Sequence, residues 1–295
     1  MSEPELDEPL AESAPLAQEW AQRLCPPVST EPNGCDWYHA SWQYLRLLGV
    51  FESIRSDDDF LLPALRRLID DGARRFLVSG AADYALLARI RAAAGAQAGA
   101  LEVTVMDRCR TPLELNAWYA RRAGMRLETV QADVLANPLP TQYDVICTHS
   151  FLCFFTAGQR EQLLRRWHDG LVSGGRVLTA QRVRAEDRDS QIRYAPEQVA
   201  AMVQKARNLA EASPGLGVSP ERAARLAEGY ARNHWTHLIA HPDELRQPLL
   251  KAGLKLEVFA PPADRPAVRD TPGTPNAQGS VRWRIQARRV RRGDD

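Results

Sequence analysis

Residues 75–107, RFLVSGAADYALLARIRAAAGAQAGALEVTVMD, decide the fold of this 295-residue chain. Residues 76–79 form an apolar run that predicts a strand, and Gly80 begins a turn of small residues. Residues 85–90 favour a helix, and residues 101–106 predict a second strand that Asp107 closes. A strand, a helix and another strand in this order predict a βαβ unit on a parallel sheet.

The same alternation continues as far as residue 183. Residues 129–132 lead to Asp133, and the buried run YDVICT at 143–148 opens onto His149 and Ser150. Ligands of parallel α/β sheets bind beyond the carboxyl ends of the strands. Because these polar residues all stand at such ends, the sequence predicts a binding site there.

This pattern resembles the class I S-adenosylmethionine-dependent methyltransferases. In that family an acid after the second strand binds the ribose hydroxyls, and an Asp after the third strand binds the adenine amine. Asp107 and Asp133 match these two features. The segments SGAADY (79–84), DRCRTPLELNAWY (107–119), CTHSFL (147–152) and SGGRVLT (173–179) also resemble a bacterial subgroup of the family.

The glycine turn departs from the family pattern. Gly80 matches the first glycine, whereas Ala82 and Tyr84 replace the other two and Val78 replaces the leading acid. A dinucleotide's pyrophosphate needs all three glycines for close backbone approach, but S-adenosylmethionine has no phosphate. The turn therefore disfavours a dinucleotide oxidoreductase more than it disfavours a methyltransferase.

The resemblance implies an α/β fold with a Rossmann-like, doubly wound, seven-stranded sheet, an N-terminal helical lid and a helical insertion after strand five. The expected organisation is a disordered tail, an N-terminal helical segment, a cofactor-binding core, a helical insertion on the substrate side, and a last helix with the closing β-hairpin of the core. These parts correspond in order to residues 1–15, 16–72, 73–185, 186–246 and 247–295.

The resemblance and the strand ends together give a set of candidate contacts to S-adenosylmethionine. Asp83 can accept from the ammonium group, and the two oxygens of Asp107 match the two ribose hydroxyls. Simpler structural roles remain open: Gly80 can merely turn the chain, Asp107 can cap a helix, and Asp133 can form an Asx-turn. The candidates are Gly80, Ala81, Asp83, Tyr84, Asp107, Arg108, Asp133, Val134, His149 and Ser150.

His149 is the candidate catalytic residue. An imidazole titrates near neutrality, so at a strand end it can accept a proton from a substrate. The sulfonium of the cofactor is already a good leaving group, and the protein mainly supplies in-line approach and a water-poor pocket. The alternative is that His149 only contacts the cofactor or the substrate.

Candidate substrate contacts fall in two helical regions. Tyr38, His39 and Trp42 belong to an aromatic cluster that either closes the pocket or packs a helical layer. Tyr230, His234 and His237 lie in the insertion. His234, His237 and His241 have helical spacing, but Pro242 follows and no carboxylate or cysteine completes a ligand set, so we expect no metal.

The charge, the apolar runs and the cysteines of the sequence limit which partners and which cellular compartment we expect. The net charge of +1 argues against a dedicated nucleic-acid binder, and no apolar run approaches the roughly 18 residues that span a bilayer. The acidic amino terminus is unlike a secretory signal, and the five cysteines form no C-x-x-C pair, as in a protein with reduced thiols. We therefore expect a cytoplasmic monomer or homodimer that acts on a small molecule and binds neither nucleic acid nor membrane.

The sequence thus predicts a methyltransferase that modifies a small molecule at oxygen, nitrogen or sulfur. One alternative is a non-catalytic or regulatory protein of the same fold that binds a nucleoside-like ligand through its altered glycine turn. A dinucleotide oxidoreductase ranks third because two glycines are missing.

Overall fold

A computed structural model describes residues 8–31, 34–51, 54–184, 191–263 and 280–290 of the chain. Within them, seven strands form one sheet in the order β3-β2-β1-β4-β5-β9-β8. The first five strands are parallel, and β9 runs antiparallel to both β5 and β8. The strands are β1 Arg75–Ser79, β2 Glu102–Asp107, β3 Arg126–Gln131, β4 Tyr143–His149, β5 Leu171–Arg184, β8 Leu254–Ala260 and β9 Ser280–Arg289.

Helices cover both faces of this sheet. One apolar core joins the sheet to α3, α4 and α5, and a second joins it to α6 and α9. The central strands are therefore apolar on both faces, and β1 is buried from Phe76 onward. These helices are α3 Asp58–Asp70, α4 Ala85–Ala94, α5 Arg110–Ala123, α6 Ala157–Gly170 and α9 Asp243–Lys251.

A third apolar core lies away from the sheet, between α2 and the helices of the insertion. Alanines on the facing sides of α7 and α8 allow close packing, and Tyr44 and Leu45 of α2 join the same core. We call α2, α7, α8 and the β6–β7 ribbon the lid. Its elements, with the preceding helix, are α1 Leu10–Leu24, α2 Asp36–Leu47, β6 Gln191–Arg193, α7 Pro196–Ala212, α8 Pro220–Asn233 and β7 Trp235–His237.

The predicted fold class is confirmed, with two local corrections. Helix α1 begins at Leu10, inside the predicted disordered tail, and the Glu8 side chain is buried against Arg46 and Arg89. Helix α8 ends at Asn233 because His234 adopts an extended backbone with φ −72° and ψ 132°. Residues 1–7 of the predicted tail and 264–279 of the predicted carboxyl-terminal region lie outside the described residues.

The sheet positions a site through its topology. Neighbouring strands β1 and β4 belong to the two halves of the sheet, which wind outward from them in opposite directions. A crevice opens at this switch point beyond the carboxyl ends of the strands. Among the described residues, no helix has both the length and the apolar character needed to cross a membrane.

Candidate active site

A cavity of about 850 Å³ lies at the carboxyl ends of the parallel strands, beneath the lid. Strand ends and the turns after them line one side. Aromatic side chains of α2 and α8 line the other. Of the predicted cofactor contacts, those that line it are Gly80, Ala81, Asp83, Asp107, Arg108, Asp133, Val134, His149 and Ser150.

The glycine turn and Asp107 form one hydrogen-bonded unit. Gly80 has a φ of +74°, in the left-handed region that glycine adopts readily. The Asp107 carboxylate accepts the Ala81 N–H at 2.9 Å and the Cys109 N–H at 2.7 Å. Burial raises the pKa of Asp107, and these two backbone donors oppose that shift. Each oxygen keeps lone pairs for a further donor.

Asp133 reaches the same cavity from the end of β3. Its carboxylate accepts the Leu135 N–H at 2.8 Å, so the Asx-turn that the sequence left open is present. The Ala132 N–H donates to the Asp107 carbonyl at 3.0 Å, which ties the ends of β2 and β3 together. The two predicted acids therefore line one cavity from adjacent strand ends.

The structure corrects the expected surroundings of Asp83 and Tyr84. Asp83 is buried, with its carboxylate 2.5 Å from an Arg46 Nη1 and 3.0 Å from the Trp42 Nε1. The sequence assigned this carboxylate to the cofactor ammonium, but it already holds a guanidinium of α2. Tyr84 does not line the cavity, because its ring is buried, stacks on Tyr119 at 4.7 Å and bonds to Ser13.

His149 forms a dyad with Asp57, which was not among the predicted site residues. The His149 Nε2 lies 3.0 Å from the Asp57 Oδ2, and Arg282 contacts the same carboxylate oxygen at 2.8 Å. Burial opposes ionisation of Asp57, but the hydrogen bond with His149 and the charge of Arg282 hold its pKa well below the usual range.

The imidazole of this dyad is neutral at pH 7. Burial lowers the pKa of His149 despite the opposing hydrogen bond with Asp57, and the charge of Arg282 lowers it further. Because Asp57 is ionised, the proton between the two residues belongs to Nε2. The Nδ1 atom is then the basic nitrogen. Ser150, the residue after His149, has a backbone φ of +50°, which is unusual for a residue other than glycine.

Aromatic rings form the lid side of the cavity. Tyr38 stacks on Trp42 at 5.4 Å and lies 5.7 Å from Tyr230, and Tyr230 stacks on His234 at 5.0 Å. The predicted substrate contacts Tyr38, Trp42, Tyr230, His234 and His237 all line the cavity. Burial lowers the pKa of His234 to about 3, so its ring is neutral.

The histidine triad of the sequence does not share a helix face. His234 follows the end of α8, His237 ends β7, and His241 is exposed beyond it. His39, also predicted to contact substrate, lines the cavity too, and it lies beside Cys25, Cys35 and Cys109. In the sequence, the signal for this cluster of three cysteines and one histidine is the spacing of Cys35 and His39, which are one helical turn apart. The cluster contains no C-x-x-C pair, so that motif does not reveal it.

Comparison with known proteins agrees with this architecture. Residues 87–179 match a family model described as a methyltransferase domain. A search of curated proteins found no match. The S-adenosylmethionine-dependent methyltransferase SibL, solved in its apo form, superimposes with a TM-score of 0.51 at 17% identity, over 96% of this chain and 70% of that one.

A second solved structure has the same fold. An O-methyltransferase family protein from Burkholderia thailandensis superimposes with a TM-score of 0.51 at 14% identity, over 86% of this chain and 60% of that one. Both structures are longer than this chain, and at these identities they bear on the fold alone. Residues 87–179 thus match a methyltransferase domain, and the described sheet has the fold of the S-adenosylmethionine-dependent methyltransferase structures.

Proposed function

We propose that this chain transfers a methyl group from S-adenosylmethionine to an oxygen, nitrogen or sulfur atom of a small molecule. The observation that carries the proposal is the meeting of Asp107, Asp133 and the Gly80 turn at one cavity. These residues come from three consecutive strand ends, in the order in which the family uses them.

The residues present fit the cofactor. Gly80 and Ala81 line the cavity, where the methionine portion can lie. Asp107 retains lone pairs for the ribose hydroxyls, because each oxygen accepts only one backbone N–H. Asp133 and the Val134 backbone would hold the adenine. When bound, S-adenosylmethionine supplies a methyl group on a positively charged sulfur.

The remaining residues would orient the acceptor and take up its proton. The aromatic rings of the lid favour an acceptor with a planar, apolar body and exclude water around it. The neutral His149 has its Nε2 proton engaged by Asp57, which leaves Nδ1 to accept a proton from the acceptor. Asp57 acts through His149 by fixing its tautomer and the orientation of its ring.

Ligand binding and turnover test this proposal separately. Calorimetry on the full chain should detect S-adenosylmethionine and its demethylated product, with little or no binding of NAD. A hundredfold excess over the dissociation constant should stabilise the fold by about 2.7 kcal/mol. Formation of the demethylated product with a panel of phenols, amines and thiols would then identify an enzyme. Binding of NAD in preference to S-adenosylmethionine would refute the proposal.

A further inference from the structure

Three cysteines and one histidine converge at the edge of the cavity. The Sγ atoms of Cys25, Cys35 and Cys109 and a ring nitrogen of His39 all lie within 4.8 Å of one another. The Sγ atoms of Cys25 and Cys109 are 3.4 Å apart, and neither cysteine forms a disulfide. These residues come from three separate parts of the chain.

Secondary structure holds each member in place. Cys25 follows α1, Cys35 precedes α2 with His39 in its first turn, and Cys109 precedes α5. Two of the three thiols thus stand at helix N-termini, where the helix dipole favours the thiolate. The Cys35 N–H donates to the Pro26 carbonyl at 3.0 Å, which closes the connection between α1 and α2.

The dimensions of the group suit one tetrahedral ion. Zinc binds thiolates at about 2.3 Å and imidazole at about 2.0 Å. Tetrahedral angles then separate two sulfur ligands by about 3.8 Å. The sulfurs of Cys25 and Cys109 are 3.4 Å apart, slightly less than this separation. No two ligand atoms of the group are more than 4.8 Å apart, slightly more than this separation. Three thiolates and one imidazole are a ligand set typical of a structural zinc site.

The imidazole of His39 supplies an independent indication. Its ring is 7% exposed, yet Nδ1 has no hydrogen-bond partner among the residues that the structure describes. A buried polar atom without a partner costs roughly 1–3 kcal/mol, so such atoms usually have an unseen ligand. Another polar group also faces the thiols, since the Thr111 Oγ1 lies 3.0 Å from the Cys25 Sγ.

A divalent cation binds cysteine in the thiolate form and releases the protons of the thiols. The convergence of three sulfurs and one imidazole is therefore an arrangement that such an ion would stabilise.

We propose that Cys25, Cys35, His39 and Cys109 bind one Zn²⁺ ion in a closed, structural site. The site would fasten α1 and α2 to the turn after β2. That turn contains Asp107, whose carboxylate accepts the Cys109 N–H at 2.7 Å. The ion would therefore fix both the first helix of the lid and the carboxylate beside the glycine turn. The proposal does not depend on methyl transfer.

Metal analysis of the full-length chain tests this proposal directly. We expect about one zinc per chain after purification under reducing conditions without chelators. The reduced, metal-stripped chain should take up one equivalent of Co²⁺ and show the visible bands of tetrahedral thiolate coordination, which Zn²⁺ then abolishes. Failure to hold either ion in stoichiometric amount would overturn the proposal. A Cys25–Cys109 disulfide in chain alkylated on lysis would overturn it too, in favour of a redox pair.

Variants assign the ligands. Cys35→Ser and His39→Gln should each weaken cobalt affinity by more than roughly a hundredfold, because even outer partners of a metal ligand contribute ten- to a hundredfold. Cys153→Ser is the matched control, since Cys153 lies outside the cluster and its thiol bonds to the Ser150 carbonyl. It should retain one equivalent of metal. An unchanged cobalt affinity in Cys35→Ser would contradict the proposed ligand set. If a variant fails to fold, the cobalt spectrum of the unmodified chain decides the proposal.

Discussion

The two sides of the cavity are built in different ways. On the sheet side, strand ends of the stretch 75–150 present carboxylates that backbone N–H groups hold in place. On the lid side, rings of α2 pack against Tyr230 of α8, which is far from them in sequence. The sheet side is thus organised by backbone hydrogen bonds within and between neighbouring strand ends. The lid side depends on tertiary packing.

Buried charges connect the two sides. Arg46 of α2 bonds to Asp83 in the glycine turn and to Glu8 ahead of α1. Within the sheet side, Asp57, just before α3, bonds in the same way to His149 at the end of β4 and to Arg282 of β9. Charges that are removed from water interact strongly, and losing one partner leaves the other uncompensated. Substitutions at these contacts should show how far each side depends on the other.

The largest effect should come from His149, at the end of β4 on the sheet side. His149→Gln should lower kcat by roughly 10²- to 10⁴-fold while leaving cofactor affinity nearly unchanged, because the base acts only in the chemical step. His241→Gln is the control, since that side chain is 68% exposed. Steady-state rates with an acceptor identified by the screen measure both. Unchanged kcat in His149→Gln would exclude it as the base.

The pH dependence of kcat follows from the same residue. Burial lowers the pKa of His149, so the imidazole stays deprotonated until the pH falls below its ordinary value of about 6.5. Protonation of His149 should therefore leave kcat unchanged from pH 7 upward, and kcat should fall in acid as the imidazole gains a proton. A fall that begins above pH 7 would contradict a neutral His149.

Asp107 tests the sheet side alone. Asp107→Asn should weaken S-adenosylmethionine binding by roughly a hundredfold, or about 3 kcal/mol, because a charged acceptor for two hydroxyls is lost. Asp169→Asn is the matched control, with a side chain 78% exposed and far from the cavity lining. Calorimetry gives the affinity and thermal unfolding checks the fold. Undiminished binding would remove Asp107 from the cofactor site.

Glu8 tests the charges between the two sides. Glu8→Gln should lower the free energy of unfolding by about 3 kcal/mol, because Arg46 and Arg89 each lose a buried anionic partner. Glu12→Gln provides the contrast, since its bonds to Arg122 at 3.0 Å are exposed and should be worth less than about 1 kcal/mol. Urea unfolding measures both. Equal losses would mean that the Glu8 contacts are as weak as surface pairs.

The smallest effect should come from the glycine turn. Gly80→Ala should cost about 2 kcal/mol of stability, roughly half from its φ of +74° and half from the Phe151 ring, which lies 2.3 Å from the position of a Cβ. Gly124→Ala carries only the conformational cost of about 1 kcal/mol, because Gly124 is left-handed at φ +65° and nothing lies within 4 Å of its Cβ. Thermal unfolding compares them. A smaller loss at Gly80 than at Gly124 would contradict the predicted contact.

Sequence reasoning recovered the parts that depend on local pattern. The alternation of strands and helices predicted the sheet, and Asp107 and Asp133 were singled out because they stand at the ends of successive strands and match the two acids of the family. It did not foresee the partners of Asp83 and Tyr84, because Arg46, Trp42, Ser13 and Tyr119 lie in other elements. It did not bring Asp57 into the site for the same reason, since no local pattern predicts a contact with His149.

The sequence by itself determined the α/β class, the succession of strands and helices along the chain and the two acids after the second and third strands, because side-chain periodicity and turn chemistry act over a few residues. Only the tertiary structure decided the Asp57–His149 dyad, the aromatic side of the cavity and the convergence of Cys25, Cys35, His39 and Cys109. Those groups form when distant segments pack, and the partner of a buried polar atom is fixed by that packing rather than by its neighbours in the chain.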